Sequence, residues 1–421
     1  MISILITALK VIILLGFLIF IHEGGHFIVA KLCKVKVNEF AIGFGPTIWK
    51  KQGKETKYAL RLIPLGGFVS MEGEEERSEK EGSFSKTSIP KRIAIVLAGG
   101  IVNIIFGLVV YFILVSSMGN YISQKIDVVD NRYGAYAAGI MENDEIVKIN
   151  GKRIRSKSDI EKVLEKTKQE EVIATIKRNN ELIDFKVKPT AIPNKDTGIY
   201  LSGNSDKITT KILAVESGSP AEQNGLEAND IILKVDGKEV RNDAYKVASY
   251  IKENENEECI FTIQRKDEIK EISVKPNIVY TYILGIQFAQ AENNLINNIY
   301  YGFWDTVDFS LSIVDNIKEL FTGKVNANQL MGPVGISGVV AETKSTSDFI
   351  YIVALISLSL GVTNLLPFPP LDGGKVVIYI IEAIRRKPIK ENTEAIIQTA
   401  GFFILIGLSI YVTYNDILRI I

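Results

Sequence analysis

Long apolar runs alternate with polar stretches along this chain, and the run lengths sort it into membrane and aqueous parts. The first run extends from Ile2 to Ile21 with Lys10 as its one full charge, and it continues through Phe27-Ile28-Val29-Ala30 to Lys31. About twenty apolar residues cross a bilayer core of about 30 Å, so residues 1–31 read as a first transmembrane helix. A cleaved signal peptide would need a shorter apolar core and a small-x-small site, and neither is present. A second span occupies 93–117, with its apolar run from Ile93 to Val115. It carries Gly99, Gly100 and Asn103, small or polar residues at a level where helices approach closely, so it is expected to pack against the first. From Phe349 to Ile384 the chain is again apolar, but 36 residues in one helix would measure about 54 Å, too long for the bilayer. The break is visible as Asn364-Leu365-Leu366-Pro367-Phe368-Pro369-Pro370-Leu371-Asp372-Gly373-Gly374, which makes 349–386 an interrupted third segment. Irregular backbone at that depth persists only where protein or a water-filled cavity satisfies it. A fourth span lies within 394–418. The fold class is thus a multi-pass α-helical membrane protein with four transmembrane helices.

The polar stretches give the topology. Residues 32–92, with Lys31 at their border, contain or adjoin thirteen Lys or Arg, which marks the loop as cytoplasmic and puts both chain termini outside. Within it, Glu39 to Gly45 and Tyr58 to Leu62 alternate apolar with small or polar residues around the charged turn Lys50 to Lys57. That is a β-hairpin, either a plain one or one whose edge holds an extended peptide. Glu72 to Glu81 reads as a solvated acidic loop. Residues from about Tyr121 to Ile278 have aqueous-domain composition and repeat internally: Ala138 to Gly151 matches Asn224 to Gly237 at an offset of 86. A period of that size means two small consecutive domains, 121–200 and 201–280, because solenoid units are shorter. Between 293 and 323, Leu295, Ile299, Phe303, Val307, Leu311, Val314 and Ile317 fall at helical spacing among charges. This is an amphipathic helix, lying on the outer membrane surface or packed on the aqueous domains.

Composition adds two constraints. The chain has 421 residues, 47% hydrophobic, with 49 basic and 49 acidic side chains, so no net field argues for nucleic acid. Cys33 and Cys259 fall on opposite sides of the membrane and form no disulfide framework. The two histidines, the full complement of the chain, are His22 and His26 in His22-Glu23-Gly24-Gly25-His26. On a helix, residues four apart share a face, so both imidazoles can reach one metal ion, and Glu23 can polarise a bound water without being a ligand. With Lys31 at the interface, His26 lies roughly 7 Å and His22 roughly 13 Å into the bilayer. A zinc site with two histidines needs a third ligand. Asp372, about 20 Å along a helix from Arg385-Arg386-Lys387, is at membrane depth and is the candidate by elimination. Its alternative role is a helix N-cap after the Pro-rich break. Glu382 ranks lower, having an ionic partner within easy reach at the basic end.

Each repeat resembles the PDZ domain, whose recurring line is G-L-x-x-G-D-x-I-x-x-I-N-G; the second copy, with Ser219-Pro220-Ala221 ahead of it, is the closer match. Such domains capture extended peptides or chain ends, or act here as a steric gate. The whole chain resembles the site-2 proteases, in the bacterial subgroup that cleaves anti-sigma factors within the membrane. The H-E-x-x-H, the Gly43-Phe44-Gly45 loop, the paired PDZ domains, the Gly332-Pro333-Val334-Gly335 segment and N-x-x-P-x-P-x-L-D-G appear in family order. The resemblance implies one zinc ion per chain on His22, His26 and Asp372, with Glu23 as acid/base. It also implies that Asn364, Pro367 and the Gly43-Phe44-Gly45 loop touch substrate, with the hairpin from Phe40 to Leu62 clamping it as a strand. The expected partner is a single-span membrane protein, an anti-sigma factor, in the bacterial inner membrane, with the active site toward the cytoplasmic side. Gly24 stands where family members often carry a larger apolar residue. Two other readings use the same features: a membrane-anchored PDZ scaffold with a vestigial metal site, and a metal transporter.

Overall fold

A computed structural model describes residues 2–74, 76, 78–204, 207–321, 332–343 and 345–420. The chain divides into two compact units, one of Met1–Ser117, Asp305–Phe321 and Leu330–Ile421, the other of Met118–Trp304 and Thr322–Gln329.

In the first unit, four helices among the described residues are long and apolar enough to cross a membrane: Ile6–Leu32, Ile89–Met118, Thr346–Asn364 and Glu391–Ile417. Small residues set their spacing, as the sequence leads one to expect, but on two faces. A Cβ on Gly25 would sit 2.7 Å from the Ala98 carbonyl oxygen, so the first and second helices touch backbone to backbone there. On the other side of the second helix, a Cβ on Gly361 would meet the Gly100 oxygen at 2.6 Å, which brings in the helix that ends at Asn364.

The third apolar segment is two helices, Thr346–Asn364 and Asp372–Arg385. Between them the backbone doubles back so tightly that a Cβ on Gly373 would come within 2.2 Å of the Leu365 oxygen. The second of these helices is capped by Leu371, with no side-chain capping bond, which leaves Asp372 in its first turn and free of the capping role. Glu382 does find its partner: it is 3% exposed and 3.1 Å from Arg92.

The hairpin is longer than its alternating segments, with strands Val37–Gln52 and Lys57–Met71, so the turn narrows to Gly53–Thr56. Residues 37–42 pair antiparallel with 67–71, while Glu39–Ile42 also borders Lys57–Leu60 on its other side. A buried cluster including Ala30, Val37, Phe40, Val69, Ile95 and Tyr379 joins this sheet to the first helix, the second helix and the Asp372 helix. The far end of the hairpin is apolar and open, with Phe44 48% and Trp49 53% exposed.

The second unit holds two six-stranded sheets. The internal repeat proves to be a structural tie: Asp144 and Asp230, 2% and 1% exposed, each accept two hydrogen bonds from one guanidinium, Arg178 at 2.7 and 2.7 Å, Arg265 at 2.7 and 2.8 Å. The same arginines donate to the Gly139 and Gly225 carbonyls, pinning the turn that opens each copy.

The two copies are not consecutive, however. After Val187 the chain runs out along Thr190–Asp196, builds the second sheet between Ile199 and Val274, and returns along Asn277–Ile283, paired in register from Asn277 opposite Asp196 to Ile283 opposite Thr190. Ile286–Gln290 then pairs with Ile122–Val129 and completes the first sheet. Leu284 is accordingly buried in the first core, with Ile286 and Phe288 packed against it. The boundary expected at 200/201 therefore cuts through an insertion, because a strand belongs to the sheet that satisfies its hydrogen bonds, whatever its place in the sequence.

The amphipathic helix is Leu295–Phe321; residues 322 and 323 of the expected 293–323 lie outside the described residues. Phe309 stacks on Tyr111 of the second helix at 4.0 Å between centroids, and the Tyr111 hydroxyl donates to Asp305 at 3.0 Å. Arg155 lies over the Trp304 ring at 3.8 Å. The Arg155 contact fits packing on the aqueous domains, while the Tyr111 contacts set the later part of the helix against the second apolar helix, which neither expected position included.

Candidate metal centre

One turn of the first helix separates His22 from His26, and their rings stand nearly perpendicular with centroids 4.8 Å apart. Asp372 enters from the start of its helix, 346 positions after His26. The three ligand atoms form a nearly equilateral triangle: His22 Nε2 to His26 Nε2 3.2 Å, and each Nε2 to Asp372 Oδ2 3.3 Å. Ligand atoms around a tetrahedral zinc with bonds of about 2.0 Å are held about 3.3 Å apart. The triangle therefore fits that ion without movement. Asp372 Oδ2 is also a buried oxygen with no hydrogen-bond partner, which a cation would satisfy.

The neighbours of these ligands are specific. His26 Nδ1 donates to the Ile95 carbonyl at 2.9 Å, which leaves Nε2 with a lone pair for the metal. His22 Nδ1 lies 3.4 Å from the Asn103 amide. Gly99 forms the floor: a Cβ there would be 2.4 Å from His26 Nε2 and 2.8 Å from His22 Cε1. Gly99 and Asn103 are read from the sequence only as contact residues between helices. Their part in the site was signalled by one feature, a polar Asn103 four residues after a glycine within an apolar span.

Glu23 lines the same cavity as the three ligands, a space of about 1060 Å³. A Cβ on Gly67 would sit 3.1 Å from Glu23 Cγ, so the hairpin's return strand packs directly on this carboxylate's side chain. That strand, Gly67 to Met71, forms one wall, and Lys375 and Tyr379 of the Asp372 helix another. Lys375 Nζ donates to Glu74 at 2.8 Å across the wall. Glu72, Glu74, Glu391 and Glu394 also line the cavity, which makes the space beside the ligands polar enough to hold water.

The other expected site residues lie elsewhere. Asn364 ends its helix, Pro367 is exposed in the break, and neither lines the cavity. Gly43, Phe44 and Gly45 sit at the open end of the hairpin, where the Phe44 ring covers Gly66. The strand Glu39–Ile42 is flanked on both sides, so it has no edge left to offer; the edge facing the cavity is Gly67–Met71.

Two imidazoles and a carboxylate around one point, with a free Glu beside them in a wet cavity among apolar helices, define a metal-dependent hydrolase of the membrane. The comparisons agree. The description Peptidase family M50 matches residues 10–408. Over 438 residues the chain is 28% identical to the Regulator of sigma E protease of Haemophilus influenzae, covering 97% of this chain and 98% of that one. It is 29% identical over 452 residues to the Regulator of sigma-W protease RasP of Bacillus subtilis, with 98% and 99% covered. A Neisseria meningitidis chain provisionally named a zinc metalloprotease is 29% identical over 444 residues, with 99% of each covered. Among solved structures, the HtrA3 PDZ domain with a phage-derived ligand aligns to 22% of this chain and 92% of its own, at 17% identity and a TM-score of 0.18. The chain belongs to Peptidase family M50, the site-2 proteases, and is a metalloprotease.

Proposed function

We propose that this protein hydrolyses a peptide bond within or near the transmembrane segment of a single-span membrane protein, using one zinc ion on His22, His26 and Asp372. The observation that carries this reading is the triangle of ligand atoms at 3.2 to 3.3 Å beside Glu23. Bound zinc would lower the pKa of water and polarise the scissile carbonyl. Glu23, with no competing place among the ligands, takes the proton of the attacking water and passes it to the leaving amine. His26 and its Ile95 partner keep one ligand nitrogen aimed at the centre. The Gly67–Met71 edge offers main-chain groups to a substrate segment that has unwound from its helix and lost its own hydrogen bonds. Asn364, Pro367 and the Gly43-Phe44-Gly45 loop are assigned to substrate contact on family resemblance.

The names of the H. influenzae and B. subtilis relatives tie those proteins to sigma-factor regulation. We therefore assign an anti-sigma factor as substrate, in a bacterial inner membrane, with both termini outside and the cavity toward the cytoplasmic side. The basic loop 32–92 supports that orientation. The two sheets of the second unit serve as PDZ modules outside the membrane, binding chain ends or excluding untrimmed substrates.

The test is Glu23→Gln. Cleavage of single-span helices by the detergent-solubilised protein, followed by mass spectrometry, should vanish while zinc content stays at one per chain. Substantial turnover by that variant would refute the assignment, and wild-type protein without stoichiometric zinc would favour the PDZ scaffold.

A further inference from the structure

A second cavity, of about 510 Å³, lies between the start of the Ile89–Met118 helix and the end of the Asp372–Arg385 helix, and none of the metal ligands lines it. Its charged lining is Lys86, Arg92, Arg386 and Lys387 against Glu79 and Glu382. Both acids are already matched, Glu382 by Arg92 at 3.1 Å and Glu79 by Lys86 at 3.1 Å. Arg386 and Lys387 form no ion pair among the described residues, so they leave the space with two unbalanced positive charges. The helix ends add little, because the positive end of one helix and the negative end of the other both border the space. The two charges are held in place by the fold. Besides meeting Arg92, the buried Glu382 accepts a hydrogen bond from the Ile389 main-chain N–H at 2.8 Å. That bond folds the chain back directly after the helix, where Arg386 takes a left-handed conformation with φ 52°. The Arg92 guanidinium lies over the Tyr379 ring at 5.0 Å, which anchors the other side of the same pair. A buried acid that peptide hydrolysis does not use thus shapes the 386–389 turn.

We propose that this cavity binds the headgroup of an anionic phospholipid, with its phosphate held by Arg386 and Lys387. Depth and charge both support that occupant. On one bordering helix Ile380, Ile381 and Ile384 are exposed, as side chains facing hydrocarbon are, and the basic residues begin at Arg385. On the other, Arg92 directly precedes the apolar run that starts at Ile93. The cavity therefore lies at the level where a bilayer passes from hydrocarbon to headgroups. Basic pockets between membrane helices at that level suit phosphate-bearing headgroups. A zwitterionic lipid brings its own cation beside the phosphate and gains little from two further positive charges. The site is separate from the metal centre, and the proposal stands whether or not His22, His26 and Asp372 hold zinc.

The test mixes the detergent-solubilised full-length protein with equimolar phosphatidylglycerol and phosphatidylcholine of identical acyl chains and counts bound lipid by native mass spectrometry. One basic side chain beside an anionic headgroup contributes about a fivefold preference. Wild-type protein should therefore retain one phosphatidylglycerol per chain with about a 30-fold preference over phosphatidylcholine, and Arg386→Gln combined with Lys387→Gln should abolish that preference. Lys34→Gln combined with Lys36→Gln removes the same charge from exposed positions after the first helix, outside the cavity, and should leave the preference intact. If the Arg386 and Lys387 double variant does not fold, the wild-type competition and Lys387→Gln alone, about fivefold weaker, still decide. Equal retention of the two lipids by wild-type protein overturns the proposal. So does an equal loss in the Lys34 and Lys36 variant, which would show a general attraction of surface charge. Displacement of phosphatidylglycerol by inorganic phosphate at the same concentration overturns it as well, since the ligand would then be the free anion.

Discussion

Gly99 has no side chain, and the two imidazoles occupy the space one would need. Gly99→Ala would put a methyl group 2.4 Å from His26 Nε2, inside any real contact distance, with helix backbone behind it that cannot yield. We expect zinc content to fall at least tenfold while far-UV circular dichroism is unchanged, measured on protein purified in detergent. Asp372→Asn keeps the shape but removes the charge that faces both rings at 3.3 Å. Zinc affinity should drop by more than about 100-fold, beyond the cost of losing an outer-shell partner, and cleavage should go with it. Among these residues His22, Glu23 and His26 were legible because helix geometry alone brings positions four apart together. Asp372 was legible by elimination in a chain with two histidines. Asn103 and Gly99 act on residues about 80 positions away, and no local spacing announces such a pairing.

Elements carry their own tests. In the first sheet of the second unit, burial works to raise the Asp144 carboxyl, but the paired hydrogen bonds and charge of Arg178 outweigh it and hold the group below its ordinary value. The stability this contributes is complete above the ordinary aspartate pKa of about 3.9 and is lost as pH falls through the lower folded value. Asp144→Ala leaves the partly exposed Arg178 guanidinium with the Gly139 carbonyl but without its carboxylate, and should cost the module about 1.5–3 kcal/mol at neutral pH, visible in its thermal transition, and should flatten the acid limb of its stability curve. For the hairpin, the alternation of apolar and polar residues located both strands but not their order. The segment Glu39–Ile42 is sandwiched, so the edge beside the metal falls to Gly67–Met71, which the sequence shows only as Gly-Gly and four further residues. Gly373 illustrates the same limit: Gly373→Ala should displace Asp372 and lower zinc affinity, since the added carbon meets the Leu365 oxygen at 2.2 Å.

For the whole molecule, the insertion of one sheet module into the other sets which parts can be removed. Replacing residues 197–276 by a two-residue turn should convert Thr190–Asp196 and Asn277–Ile283 into a simple hairpin and leave the first module folded, with its amide protons still slow to exchange. Deleting 286–290 should do the opposite, exposing the Ile122–Val129 edge and loosening the first core while the 199–274 module keeps its protection. A consecutive arrangement of the two copies, with 286–290 outside both, predicts that this deletion loosens neither module.

By itself the amino-acid order determined the membrane class, the four long apolar helices, the repeat and the ligand types, because each depends on run length or on periodicity within a few turns. Tertiary structure decided the rest: which strand closes which sheet, which edge of the hairpin meets the cavity, and which glycine and amide support the imidazoles. Those choices follow from hydrogen bonds and close backbone contacts between segments far apart in the chain, and only packing brings such segments within reach of one another.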